Sequence, residues 1–122
     1  MLVVSINPPA KKTIQSTPFS SYELTGDKMI VKCTRYVIGA SSNTNDDSRF
    51  DVRFGNIKYE KNPDGSQGSP IFETIVNYSC SLTAQEVSTW GTDDNIIYNI
   101  IAQKLGFQVV SIDEVNGLHF TN

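Results

Sequence analysis

The feature that most constrains the fold is one stretch, residues 81–107, SLTAQEVSTWGTDDNIIYNIIAQKLGF, set in a chain otherwise patterned as strands. Thr83 followed three residues later by Glu86 has the spacing of a capping box, which predicts a short helical turn through Val87 and Trp90. After Gly91, Thr92 is placed to cap a second helix. Asp93 and Asp94 then fall in its first turn, where negative charge meets the positive end of the helix dipole. Ile96, Ile97, Ile100, Ile101 and Leu105 recur at helical spacing and form one broad apolar face. Lys104 and Gly106 mark the helix end. Such a face has to be buried, and the rest of the chain offers only strands to bury it on. The outer face, Asn95, Tyr98, Asn99 and Gln103, is polar and available to a partner.

The strands are read from alternation and turn chemistry. Leu2 to Ile6 is a short first strand. Residues 7–21, NPPAKKTIQSTPFSS, read as an extended arm or loop, able to wrap a neighbour or simply to connect. Tyr22–Thr25 and Lys28–Ile38 read as a hairpin about Gly26-Asp27. In its long arm Met29, Val31, Cys33 and Val37 share one face. Ile30, Tyr36 and Ile38 make the other partly apolar, which implies partial burial on both sides. Residues 39–49 form a polar loop. Phe50, Val52 and Phe54 alternate with charge, but Ile57 and Tyr59 fall on the opposite parity, and a bulge at Gly55 would restore both sets to one face. Lys61 to Ser69 is the strongest turn signal, with Pro63-Asp64-Gly65 at its tip. Residues 71–82 return with Phe72, Val76, Tyr78, Cys80 and Leu82 on one face and Ile75 out of pattern. Beyond the helix, Phe107–Ile112 reads as a strand, Glu114–Gly117 as a turn and Leu118–Phe120 as a last short strand. The expected class is α+β: an antiparallel β-sheet, sandwich or open barrel, packed against one main C-terminal helix.

With 122 residues and no internal repeat, residues 1–122 are expected to form a single domain. A net charge of −3, with the basic residues scattered except for Lys11-Lys12, argues against a nucleic-acid partner. No apolar run approaches the roughly 18–20 residues that cross a bilayer, and the opening MLVVSINPP is too short and too uncharged for a secretion signal. The expectation is therefore no membrane and a cytosolic site of synthesis. Cys33 and Cys80 lie alone in two apolar runs, as a buried pair of thiols or, alternatively, a disulfide between strands.

Residues that can carry chemistry are few. His119 is the single histidine. Ser111 and Asp113 are near it in sequence, but no nucleophile elbow surrounds any serine. Asp46-Asp47 with Asp51, and Asp93-Asp94, are acidic pairs that solvation and helix capping already explain. Asn43 to Asp47 repeats oxygen ligands without the spacing or terminal Glu of a calcium-binding loop. Asn62-Pro-Asp-Gly lacks a phosphate-cradle pattern. Asn77-Tyr-Ser79 matches a glycosylation acceptor, read as coincidence in a chain without a secretion signal. Trp90 suits a place under the helix better than a sugar-stacking platform. No catalytic, cofactor-binding or metal-binding residue is assigned, and no cofactor is expected.

The order of Phe54-Gly55-Asn56, Leu82-Thr83, Glu86-Val87, Trp90 to Asp94 and Ile101 to Gly106 resembles small virion proteins of tailed bacteriophages, over about residues 50–107. The resemblance implies a non-enzymatic structural subunit, assembled in the host cytoplasm into the virion as head, neck or tail component. Its N-terminal arm and exposed strand edges would meet other copies, as a homo-oligomer, or other virion proteins. A small module binding a glycan or a protein is the alternative.

Overall fold

The computed structural model describes residues 1–35, 48–87 and 94–120. Four long strands, β1 (Leu2–Thr17), β2 (Ser20–Arg35), β3 (Ser48–Lys61) and β4 (Gln67–Leu82), precede helices α1 (Ala84–Val87) and α2 (Asp94–Leu105). Strands β5 (Gln108–Glu114) and β6 (His119–Phe120) follow. All six strands form one sheet, ordered β5-β1-β2-β3-β4-β6, antiparallel except for the β4–β6 pair. One sheet, and not the two of a sandwich, is therefore present. The helix is also short and not C-terminal: α2 has 12 residues, and the two strands after it supply both edges of the sheet.

Those edges dictate the curvature. Five strand spacings separate β5 from β6 in a flat sheet, about 24 Å. Only residues 115–118 join them, and the step from Glu114 to His119 reaches about 17 Å at full extension. The sheet therefore coils until its edges approach, and β1 touches β4 across the two strands between them.

Both faces are buried in the middle of the sheet. On one, Val4, Met29, Phe50, Val52, Phe54, Cys80 and Leu82 pack against Val87 of α1 and against Ile97, Ile101 and Ala102 of α2. Burying Ile97 and Ile101 completely contributes about 1.5–3 kcal/mol each. Of the expected helix face, Ile100 and Leu105 are half-buried and Ile96 is exposed. On the opposite face Val3, Ile30 and Phe72 form a second, smaller core under Ile57, Val115, Leu118 and Phe120. Adjacent residues Met29 and Ile30 thus serve two cores, as the double apolar pattern of β2 implies.

Helix and turn chemistry matches the sequence closely. The Thr83 amide donates to Glu86 Oε1 (2.9 Å), and the Glu86 amide donates to Thr83 Oγ1 (3.2 Å). At the far end of α2, Gly106 takes a φ of 92°. Its amide donates to the Gln103 carbonyl and the Phe107 amide to that of Ala102, a Schellman stop. Lys104 Nζ donates to the Ser81 carbonyl (2.8 Å) and contacts Glu86 (3.1 Å), tying α2 to β4 and α1. The turn after Lys61 closes through Gly65 (φ 86°), and the Asp64 carboxylate accepts from the Ser66 amide and hydroxyl.

Two expectations about glycine are corrected. Gly26 is not a hairpin tip. It lies inside β2, where a Cβ would stand 2.5 Å from the Gly55 carbonyl oxygen, so its value is close backbone approach. A register break does occur at Gly55, but the extra residue is Ile75 on β4: Phe54 faces Val76 and Gly55 faces Thr74. Ile75 is the residue that fell out of pattern. The break does not bring Ile57 back to the face of Phe54, and Ile57 instead joins the second core.

Candidate functional site

The hairpin turn placed by sequence at Gly26-Asp27 lies at Pro18-Phe19, between Thr17 and Ser20. Residues 7–21 thus run up β1, round the tip and into β2. Thr17 Oγ1 and Ser20 Oγ share a hydrogen bond (2.7 Å), and the Phe19 amide donates to Thr17 Oγ1 (3.2 Å). Proline before Phe19 presets the backbone for the turn. The Phe19 ring is 97% exposed.

Among the described residues β1 pairs from Ala10 to Thr17 with β2 alone, because β5 begins at the level of Asn7 and the β2–β3 ladder ends at Lys28–Gly55, beyond which β3 runs on to Lys61 paired with β4. Residues 10–26 therefore form a two-stranded ribbon about 25 Å long, standing off the body. Its root is fixed. Ala10 belongs to the helix-side core, Gly26 rests on Gly55, and Asn56 Nδ2 donates to the Thr25 carbonyl (2.7 Å). Lys28 Nζ donates to Ser5 Oγ (2.9 Å) below it.

The ribbon has two unlike faces. The pairs Lys12–Leu24 and Ile14–Tyr22 continue the face of Ala10, whereas Lys11–Thr25, Thr13–Glu23 and Gln15–Ser21 make the reverse face polar. Tyr22 is 51% and Leu24 37% exposed. Ile14 is half-buried, so this face carries one partly covered apolar side chain, Ile14, beside the more open Tyr22 and Leu24. The arm expected over residues 7–21 is part of this ribbon, but Tyr22 and Leu24 pair with Ile14 and Lys12 of β1 and not with residues 28–38, which corrects the expected hairpin and brings this face together. The available signal was the match of alternation in 10–14 with that in 22–26.

The other candidates do not converge. His119 is exposed on β6, where its backbone pairs beside Ile71. Ser111 Oγ donates to Asp113 Oδ2 (3.2 Å), and His119 joins neither. Asp51 and Asp94 are exposed and lie on different elements. Asp46, Asp47, Asp93, Trp90, Thr92 and the oxygen-rich run 43–47 lie outside the described residues. Among the described residues no group of three His, Cys, Asp or Glu side chains is placed to hold a metal. No described helix is long and apolar enough to cross a membrane. Asn77 is exposed in mid-strand, opposite Arg53.

Cys80 is buried, and burial pushes its thiol pKa up, but Cys33 is exposed, which corrects the expectation of a buried pair. Both are free. Phe50 pairs with each of them, so they sit two strands apart, about 10 Å, beyond disulfide reach. On the outer face of α2, Asn95, Asn99 and Gln103 are exposed as expected, while Tyr98 leans into the core and burial raises its pKa.

A cleft of about 460 Å³ lies over the second core, lined by Ile30, Val31, Lys32, Asp51, Arg53 and Phe120, together with Met1. The Arg53 guanidinium stacks 5.0 Å from the centroid of the Phe120 ring.

No protein-family model, curated protein or solved structure matches this chain.

Proposed function

We propose that the chain is a non-enzymatic assembly subunit of the kind found in tailed-phage virions, put together in the host cytoplasm with further copies or other virion proteins. The observation that carries this reading is the ribbon 10–26, with Tyr22 and Leu24 exposed on one face beside a half-buried Ile14 and an exposed Phe19 at its tip. A two-stranded hairpin is marginal in water without a third strand or a packing surface. An apolar face on such a ribbon is the mark of a surface completed by another chain. The coiled sheet, an open barrel in this reading, is the rigid base that presents the arm. A net charge of −3 and the mixed signs on the arm give phosphate or lipid headgroups no concentrated positive patch to meet.

Light scattering across a wide concentration range, with negative-stain imaging of the same samples, tests the proposal. Defined multimers that weaken in Phe19→Ser support it. A strict monomer at every concentration refutes the self-assembling form. In that case the mixed apolar and charged cleft at Arg53 and Phe120 favours the second reading, a small binding module, and ligand screens on an Arg53→Ala control decide it.

A further inference from the structure

The two open edges of the ribbon differ in charge. The β1 edge, residues 10–17, carries Lys11 and Lys12 and no acid. The β2 edge, residues 20–27, carries Glu23 and Asp27 and no base. Asp27 is already 3.6 Å from Lys28, which leaves Glu23 as the acid further out along the arm. Among the described residues β1 from Ala10 to Thr17 and β2 from Ser20 to Leu24 have no second ladder partner, whereas Thr25 and Gly26 already lie against Asn56 and Gly55 of β3. From Ser20 to Thr25 the β2 edge has no proline, no bulge and one charge, so it lacks the devices that keep edges from pairing.

Resting on the assembly reading above, we propose that the arms of successive copies pair side by side, the β1 edge of one copy against the β2 edge of the next. The occupant of the open edges is thus a second copy. Charge selects this mode. A two-fold pairing of β1 with β1 gathers Lys11 and Lys12 of both copies along one seam, and one of β2 with β2 gathers Glu23 of both copies. Head-to-tail pairing brings lysines to carboxylates. It also continues the order β1-β2-β1-β2 as an antiparallel ladder when the arms project the same way, and it joins the Ile14, Tyr22 and Leu24 faces into one apolar surface. Such a contact closes into a ring or grows into a filament.

The test uses the full chain in three forms: wild type, Lys11→Glu/Lys12→Glu, and Glu23→Lys, followed by sedimentation velocity. Each variant alone is expected to raise the concentration at mid-assembly about tenfold, since it places like charges across the new pair. An equimolar mixture of the two variants is expected to assemble near the wild-type concentration, because each then offers the opposite sign to the other at both edges. A mixture no better than either variant alone overturns the proposal. So does a result in which only one variant matters, which indicates a two-fold contact through that edge. Wild type that assembles and ignores both variants refutes the pairing and leaves the assembly reading standing. Wild type that never assembles refutes the pairing together with the self-assembling form of that reading. Thermal unfolding of each variant separates loss of pairing from loss of fold. Hydrogen exchange on wild type gives an independent readout: amides of 11–25 become protected on assembly, and unchanged exchange there overturns the pairing.

Discussion

Replacing Gly55 by alanine puts the account of the sheet to its hardest test. A Cβ at this position would stand 1.9 Å from the Glu73 carbonyl oxygen and 3.1 Å from Cε1 of Phe72. Ordinary contact begins near 3.4 Å, so β3 and β4 must part by about 1.5 Å at the register break. The nearest obstacle is backbone, and it cannot swing aside as a side chain does. Overpacking of this kind costs about 1–3 kcal/mol. Disturbing one or two ladder hydrogen bonds adds about 1 kcal/mol each. A total of about 2–5 kcal/mol is a large share of the roughly 5–15 kcal/mol that holds a domain together. For a chain of this length it corresponds to a Tm lower by roughly 8–20 °C. Gly65 is the control. Nothing lies within 4 Å of a Cβ there, but φ is 86°, so Gly65→Asn, which tolerates that conformation, is expected to change Tm by only a few degrees. Thermal unfolding by circular dichroism measures both. If Gly55→Ala unfolds within about 4 °C of wild type, the close approach of β3 and β4 at the break is wrong.

Four further outcomes are expected. Thr83→Ala removes the acceptor for the Glu86 amide and lowers stability by about 1 kcal/mol in urea unfolding. The hydrogen bond from the Thr83 backbone amide holds the Glu86 carboxyl below its ordinary 4.5, so its stabilisation is present above that pH and fades as pH falls through the lower folded value. The acid-side drop in Tm should therefore be shallower in Glu86→Gln, and identical slopes would sink the assignment. A brief maleimide pulse on native protein should label Cys33 and spare Cys80, which mass spectrometry of the peptides reads directly. Phe19→Ser should leave urea stability within about 0.5 kcal/mol of wild type, since the ring touches nothing in the chain.

What was legible in the sequence was local. The capping box at Thr83 and Glu86, the stop at Gly106 and the turn about Gly65 each depend on residues within a few positions of one another, and each has one physical meaning. Glycine inside a strand has two. Gly26 followed by Asp27 carries the signature of a tight turn, yet its positional need is space against Gly55, 29 residues away by their numbers in the chain. The true tip, Pro18-Phe19, has no glycine to announce it. The face on which Ile57 lies depends on one extra residue, Ile75, in the partner strand, which alternation within β3 cannot reveal. The same limit hid the site. Residues 7–21 looked extended and polar, and the apolar face of the ribbon emerged only when Lys12 met Leu24 and Ile14 met Tyr22.

The ribbon also bears on where the ordering free energy of this chain comes from. Fixing a backbone residue costs about 1–2 kcal/mol, and in the body of the sheet burial of Met29, Phe54 or Phe72 offsets that cost. Along residues 11–25 no side chain is fully buried: Ile14 is half-buried and Tyr22 and Leu24 stay 51% and 37% exposed, while the cross-strand bonds and the Thr17–Ser20 contact at the tip contribute modestly. Alternation in the arm follows the rule that buries side chains elsewhere in the same strands. In the proposed assembly, pairing between copies would supply the ladder hydrogen bonds that the edges of the arm lack within one chain, and the opposite charges on those edges would favour a repeating contact over a two-fold one.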